Sequence, residues 1–89
     1  MKAVITVIGQ DNVGIIAKVS GKCYEHSVNI LDISQSVIQE YFAMIMLVDI
    51  SFLEMKFSEF VDKMSKYGEE NSLKIHTMHE DIFNSMHRI

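Results

Sequence analysis

The sequence predicts an α+β fold in which one antiparallel sheet of four strands carries two helices on one face, followed by a short third helix. Apolar side chains recur with the period of two of a strand in four segments and with the period of about 3.6 of a helix in three others. These segments follow one another in the order β-α-β-β-α-β before the last helix. Gln39 and Glu40 alone separate the second and third strand segments, and so short a connection permits only an antiparallel hairpin.

The first strand and the first helix are read from residues 3–25. Residues 3–8 form a nearly unbroken β-branched run, which is typical of a central strand covered on both faces. Gly9 ends this run, and the short polar side chains after it indicate a turn and a helix start at about Val13. Gly21 lies inside the helix, and we expect it to permit close approach of a neighbouring backbone. The packed stripe of this helix is expected to contain Ile16, Val19, Ser20 and Cys23.

The second and third strands differ in how many of their faces are apolar. Residues 28–38 alternate, which is typical of a half-buried strand near a sheet edge, and Leu31, Ile33 and Val37 are expected on one face. Residues 41–50 are apolar on both alternating sets. The second face of the sheet is therefore expected to be covered in part by the C-terminal tail, by another chain or by both.

The C-terminal half continues with a helix, a strand and a short helix. The spacing of Ser51 and Glu54 matches a capping box, so the second helix is expected to begin before Met55 and to end near Gly68. Residues 73–78 alternate as a fourth strand. Residues 81–89 form a short amphipathic helix that is too short to stand alone and is expected to dock on the rest of the fold. Its apolar stripe contains Ile82, Phe83, Met86 and Ile89.

Length and composition limit the classes of protein. We expect the 89 residues to form one domain, residues 1–89, that buries about 60 to 65% of its unfolded surface, so self-association would add stability. No apolar run approaches a membrane span and no cleavable signal is visible, so we expect a cytoplasmic protein without membrane contact. A single cysteine agrees with a reducing compartment. The net charge of −4, with no basic run, argues against direct binding of nucleic acid.

The loop before the first helix is the candidate ligand site. Free N–H groups and the positive end of the helix dipole converge there, and Gly14 lets a ligand approach the backbone, so the loop suits a carboxylate. Asp11 or Asn29 would then receive an ammonium group. The structural alternative is that Asn12 caps the helix and Gly14 eases a tight turn.

Other chemistry-bearing residues favour structural roles. His76, His79 and Glu80, with His87 nearby, suggest a metal site, but residues 76 and 79 of an alternating strand point to opposite faces. A surface histidine cluster is therefore predicted, with no metal site. Cys23 lies on the packed stripe, so a core thiol is favoured over a reactive one and no catalytic residue is predicted. The seven methionines suit core filling, with an adaptable peptide-binding surface as the alternative.

The element order, the loop sequence QDNVGI and the following strand sequence NILDIS resemble the ACT domain. The resemblance covers residues 1–78, and an IFxxM pattern at Ile82, Phe83 and Met86 extends it to small stand-alone ACT proteins. ACT segments of glycine-cleavage regulators and formyltetrahydrofolate deformylases are also similar. The resemblance implies a ferredoxin-like fold that dimerises and, in many members, binds an amino acid near the first loop. The ligand region that it implies comprises Gln10, Asp11, Asn12, Val13, Gly14, Ile15, Asn29 and Ile30.

These observations lead to one functional hypothesis and two alternatives. The hypothesis is a regulatory homodimer that senses a small molecule, most simply an amino acid, and needs no cofactor. The first alternative is a ligand-free interaction module that contacts a regulated protein partner. An enzyme is the least favoured, because a general acid–base or nucleophilic site needs a histidine or cysteine beside a carboxylate in a cleft, and Cys23 lies on the packed stripe of the first helix.

Overall fold

The computed structural model describes residues 1–10 and 14–86 as one sheet with three helices. The strands form an antiparallel sheet in the order β2-β3-β1-β4. The predicted fold class, the β2–β3 hairpin and the central position of the first strand are confirmed. The elements in chain order are β1 (Lys2–Gln10), α1 (Ile15–Glu25), β2 (Asn29–Ile38), β3 (Tyr41–Asp49), α2 (Phe57–Glu70), β4 (Leu73–His79) and α3 (Glu80–Met86).

The hydrophobic core lies between the sheet and the two long helices. Ile5 of β1 and Met46 of β3 face each other in register and are fully buried, because alternate residues of each strand point to this side. The helices contribute Val19 and Phe60 to the same cluster. Cys23 is also wholly buried there, which confirms the prediction of a core thiol. Burial raises the pKa of this thiol to about 11, so it remains protonated near neutral pH.

The other side of the sheet, called the open face here, is only partly covered. Among its side chains Ile8 is 50% and Ile45 is 43% exposed, whereas Val4 is 3% exposed. The helix α3 contacts β1 and β4, and we ascribe the cover of Val4 to α3 because both long helices pack on the core side. The open face is formed by Val4, Thr6, Ile8, Asp32, Ser34, Ser36, Ala43, Ile45, Leu47, Lys74, His76 and Met78.

Two expectations about the first helix need correction. Ile15 is 3% exposed and Ile16 is 38% exposed, so the packed stripe runs through residues 15, 19 and 23 in steps of four, and Ile16 lies at its margin. The expected start at Val13 falls outside the described residues. Gly21 does not serve a close approach within residues 1–10 and 14–86, because a Cβ placed there meets none of their atoms within 4 Å.

A bulge in β2 changes the predicted faces of that strand. The register with β3 shifts between Ile30 and Asp32, and Leu31 has no partner in it. An inserted residue inverts the alternation, so Ile30, opposite Val48, shares the core side with Ile33. The expectation that Leu31 and Ile33 share one face is therefore wrong.

The segment before α2 does not form the expected capping box. The Ser51 hydroxyl donates to Oδ1 of Asp49 at 2.6 Å and the Ser51 N–H donates to the same oxygen at 2.9 Å. These local bonds occupy the serine, and the helix begins at Phe57 after Lys56, which makes no side-chain cap. At the other terminus, the expected extension of the last helix to Ile89 lies outside the described residues. No helix in the described part of the chain is long and apolar enough to cross a membrane.

Candidate functional site

The candidate site lies at the end of the sheet where β1 ends and α1 begins, called the loop end here. Gly14 stands immediately before α1 with φ +85° and ψ 14°, a left-handed conformation that favours glycine. Among the residues that the structure describes, no atom lies within 4 Å of a Cβ placed at this position. Within the described residues no side chain caps α1, and its first turn carries no acidic residue. The first-turn N–H groups of α1 therefore offer donors for an anion.

The predicted ligand residues do not all have the same environment. Gln10 ends β1 at the loop end, where it is exposed opposite Tyr41. Ile15 and Ile30 pack in or against the hydrophobic core, so their side chains are directed to the core. The expectations for Asp11, Asn12 and Val13 lie outside the described residues.

Asn29 lies at the opposite end of the sheet from the loop end. Asn29 pairs with Asp49 of β3, and Asp49 also pairs with Lys2 at the start of β1. Gln10, at the end of β1, pairs with Tyr41 at the opposite end of β3. Eight strand steps of about 3.4 Å separate these ends by about 27 Å. The helix α1 runs back along the sheet, so the chain enters β2 at the far end. The expected proximity of Asn29 to the loop is therefore absent within one chain, and a ligand that contacts both requires a second copy.

A cavity of about 400 Å³ opens at the loop end beside Gln10. Its apolar lining includes Leu73 and Ile75 of β4, which the sequence placed only in the fourth strand. Gly9 and Gly68 allow β1 and α2 to pack closely against β4 beside this cavity. A Cβ on Gly9 would lie 2.5 Å from Cδ2 of Leu73, and one on Gly68 would lie 2.8 Å from the Leu73 carbonyl oxygen. In the sequence, these two glycines are the signal of close packing beside the cavity.

The histidines lie as the alternation predicted. His76 stands opposite Thr6 and His79 stands opposite Ala3, so their side chains point to opposite faces of the sheet. His79 is engaged locally, because its Nδ1 accepts the Asp81 N–H at 3.2 Å. No group of three histidine, cysteine or acidic side chains is arranged to hold a metal in residues 1–10 and 14–86, and His87 lies outside them.

The element order and the sheet with two helices on one face define a ferredoxin-like α+β domain. The sequence profile of the ACT domain family matches residues 2–78. The chain therefore belongs to the ACT domain family, as its resemblance predicted.

Individual relatives agree with this assignment. A UPF0237 protein of Clostridium perfringens is 54% identical over 89 residues, which cover 100% of both chains. The solved structure of an ACT domain protein from Streptococcus pneumoniae is 42% identical with a TM-score of 0.83, over 93% of each chain. A formyltetrahydrofolate deformylase from Pseudomonas syringae pv. tomato is 25% identical with a TM-score of 0.73, over 88% of this chain and 27% of its own. The similarity to that enzyme is thus confined to one part of a longer protein.

Proposed function

We propose that the protein is a regulatory homodimer that responds to an amino acid bound at the loop end. The observation that carries this proposal is Gly14, whose left-handed backbone and open surroundings expose the start of α1 to a ligand. A carboxylate at this position accepts hydrogen bonds from backbone N–H groups and meets the positive end of the helix dipole. Membership of the ACT family supports the regulatory role. Asp11 is the proposed partner of the ammonium group.

A second copy of the chain is the proposed cover of the open face. Ile8 and Ile45 expose apolar surface there, and α3 adds exposed Ile82 and Met86. The fold measures 35 × 34 × 19 Å, so its broad faces are large enough to supply the roughly 800 Å² per partner of a standard interface. A dimer whose strands run in opposite directions would also bring Asn29 of one copy towards the loop end of the other.

A thermal-shift screen with the twenty amino acids tests the ligand. A ligand at a hundred times its Kd stabilises the folded state by about 2.7 kcal/mol, which raises the melting temperature of a domain of this size by about 10 °C. We expect at least one amino acid to do so, and no shift with any of them would contradict amino-acid sensing.

Sedimentation equilibrium at micromolar concentration tests the dimer. We expect the mass of two chains, and we expect Ile45→Asp on the open face to reduce it to that of one. Ile16→Asp is the matched control, because Ile16 is similarly exposed but lies on the helical side of the fold. A single-chain mass for the unmodified protein would contradict the proposal.

The alternative function is a ligand-free interaction module. In this alternative the exposed apolar residues of the open face also form the contact surface, but no ligand binds at Gly14. A dimer that no amino acid stabilises would favour this alternative. A cytoplasmic location belongs to both proposals and is supported by the single free cysteine.

A further inference from the structure

We propose that the cavity at the loop end binds an amino acid with an apolar side chain, at a position separate from the N-terminus of α1. This inference rests on the proposed function, since it assigns a second position to the same class of ligand. The cavity lies where the end of β1 meets the start of β4 and the last turns of α2. Its volume of about 400 Å³ falls within the range of small-molecule sites, roughly 300 to 1,000 Å³.

The apolar lining of the cavity explains the preference for an apolar side chain. Leu73 and Ile75 are almost completely buried, so their positions are set by core packing, and both line the cavity. Gly68 keeps α2 close to β4 below this lining. An aliphatic side chain placed against Leu73 and Ile75 removes its own surface from water.

Two charged side chains of opposite sign also line the cavity. Lys74 comes from β4 and Glu69 from the last turn of α2. Neither belongs to any ion pair found in the described part of the chain. A zwitterion matches this arrangement, because its carboxylate pairs with Lys74 while its ammonium pairs with Glu69.

The end of α2 favours the ammonium group independently of Glu69. The last turn of α2 carries no basic residue, so no side chain of that turn neutralises the negative end of the helix dipole. On the other side of the cavity, the Tyr41 hydroxyl and the His76 imidazole supply hydrogen-bonding groups. The cavity therefore offers an anionic side, a cationic side and an aliphatic lining.

Amide chemical shifts locate the ligand directly. The ¹⁵N-labelled protein is titrated with L-leucine, and we expect saturable shifts at Gly9, Leu73 and Lys74. Saturable shifts confined to Gly14, Ile15 and the rest of the first turn of α1 would overturn the cavity site and leave the proposed function intact. No saturable shifts with leucine, valine, isoleucine, methionine or phenylalanine would overturn the cavity site. Amino-acid sensing itself falls only if all twenty fail.

Charge variants test the assigned polarity. We expect Lys74→Met and Glu69→Gln each to weaken leucine binding by about tenfold. Binding of 4-methylpentanoate, which lacks the ammonium group, is expected to depend on Lys74 but not on Glu69. The matched controls Lys66→Met and Glu70→Gln lie outside the cavity and are expected to change affinity less than about twofold. Leucine affinity that is equally insensitive to all four substitutions would overturn the assignment.

Discussion

Two glycines in the long helices are predicted to respond in opposite ways to substitution by alanine. A Cβ on Gly68 would lie 2.8 Å from the Leu73 carbonyl oxygen and 2.9 Å from Cγ1 of Ile75. A Cβ on Gly21 would meet no atom of the described residues within 4 Å. Gly68→Ala therefore destabilises the fold, whereas Gly21→Ala stabilises it.

The magnitudes follow from helix propensity and packing. Alanine in a helix interior is favoured over glycine by about 1 kcal/mol, and at Gly21 nothing opposes this gain. At Gly68 the same gain is opposed by overpacking, which typically costs about 1 to 3 kcal/mol. The upper part of that range applies, because the closest atom belongs to the backbone and cannot move away by a side-chain rotation. We expect a net loss of about 1 to 2 kcal/mol for Gly68→Ala.

Urea unfolding followed by circular dichroism measures both changes. At fixed protein concentration, the midpoint is expected to rise for Gly21→Ala and to fall for Gly68→Ala with little change in slope. A Gly68→Ala variant as stable as the unmodified protein would refute the close contact between α2 and β4. A destabilised Gly21→Ala variant would instead support the expectation from the sequence that Gly21 permits close approach of a neighbouring backbone.

Three further predictions concern the thiol, an acidic residue and the last helix. Because burial raises the pKa of Cys23 from 9.0 to about 11, its thiolate fraction near pH 8 falls about a hundredfold. A disulfide reagent should therefore react far more slowly with the native protein than with the urea-unfolded protein, and equal rates would contradict the burial of Cys23. The hydrogen bonds from Ser51 lower the pKa of Asp49 below 3.8. Its contribution to stability is therefore present above about pH 4 and is lost as the pH falls through the pKa of the folded state. In urea titrations at acid pH, the stability difference between Asp49→Asn and the unmodified protein should shrink, and a constant difference would contradict this. Truncation after His79 uncovers Val4, so it should raise the fluorescence of a hydrophobic dye and lower solubility. Unchanged dye binding would show that α3 does not cover the sheet.

Much of the fold followed from periodicity alone. The β-branched run that contains Ile5 predicted the central strand, and the two residues between β2 and β3 predicted their antiparallel pairing. Both signals are local, since they depend only on residues adjacent in the chain.

Features that depend on contacts between elements were not predicted. The bulge at Leu31 becomes visible only when β2 is aligned with β3. The choice between Ile15 and Ile16 for the packed stripe depends on how α1 is rotated against the sheet, which a single helical repeat does not determine. Ser51 had capping-box spacing, but Asp49 competes for its hydroxyl and N–H.

The residues proposed for the ligand site were predicted from the first loop and from family resemblance. Gly14 was singled out because it lets a ligand approach the backbone, with a tight turn as the structural alternative, and its φ of +85° is a turn conformation that favours glycine. Asn29 was grouped with it through family resemblance, although α1 carries the chain to the far end of the sheet before β2 begins. The cavity was missed because Glu69 and Lys74 belong to different elements, and only the fold brings them to one corner.

Calorimetric titration of the unmodified protein and of Gly14→Val, with an amino acid that raises the melting temperature and shifts the amide signals of the first turn of α1, tests the proposed function most directly. A β-branched residue in the left-handed conformation of Gly14 strains the helix start and narrows the approach to its N–H groups. The account predicts that Gly14→Val retains its circular dichroism spectrum and its sedimentation mass but loses at least about tenfold in affinity. An unchanged affinity in this variant would contradict the assignment of the ligand to the start of α1.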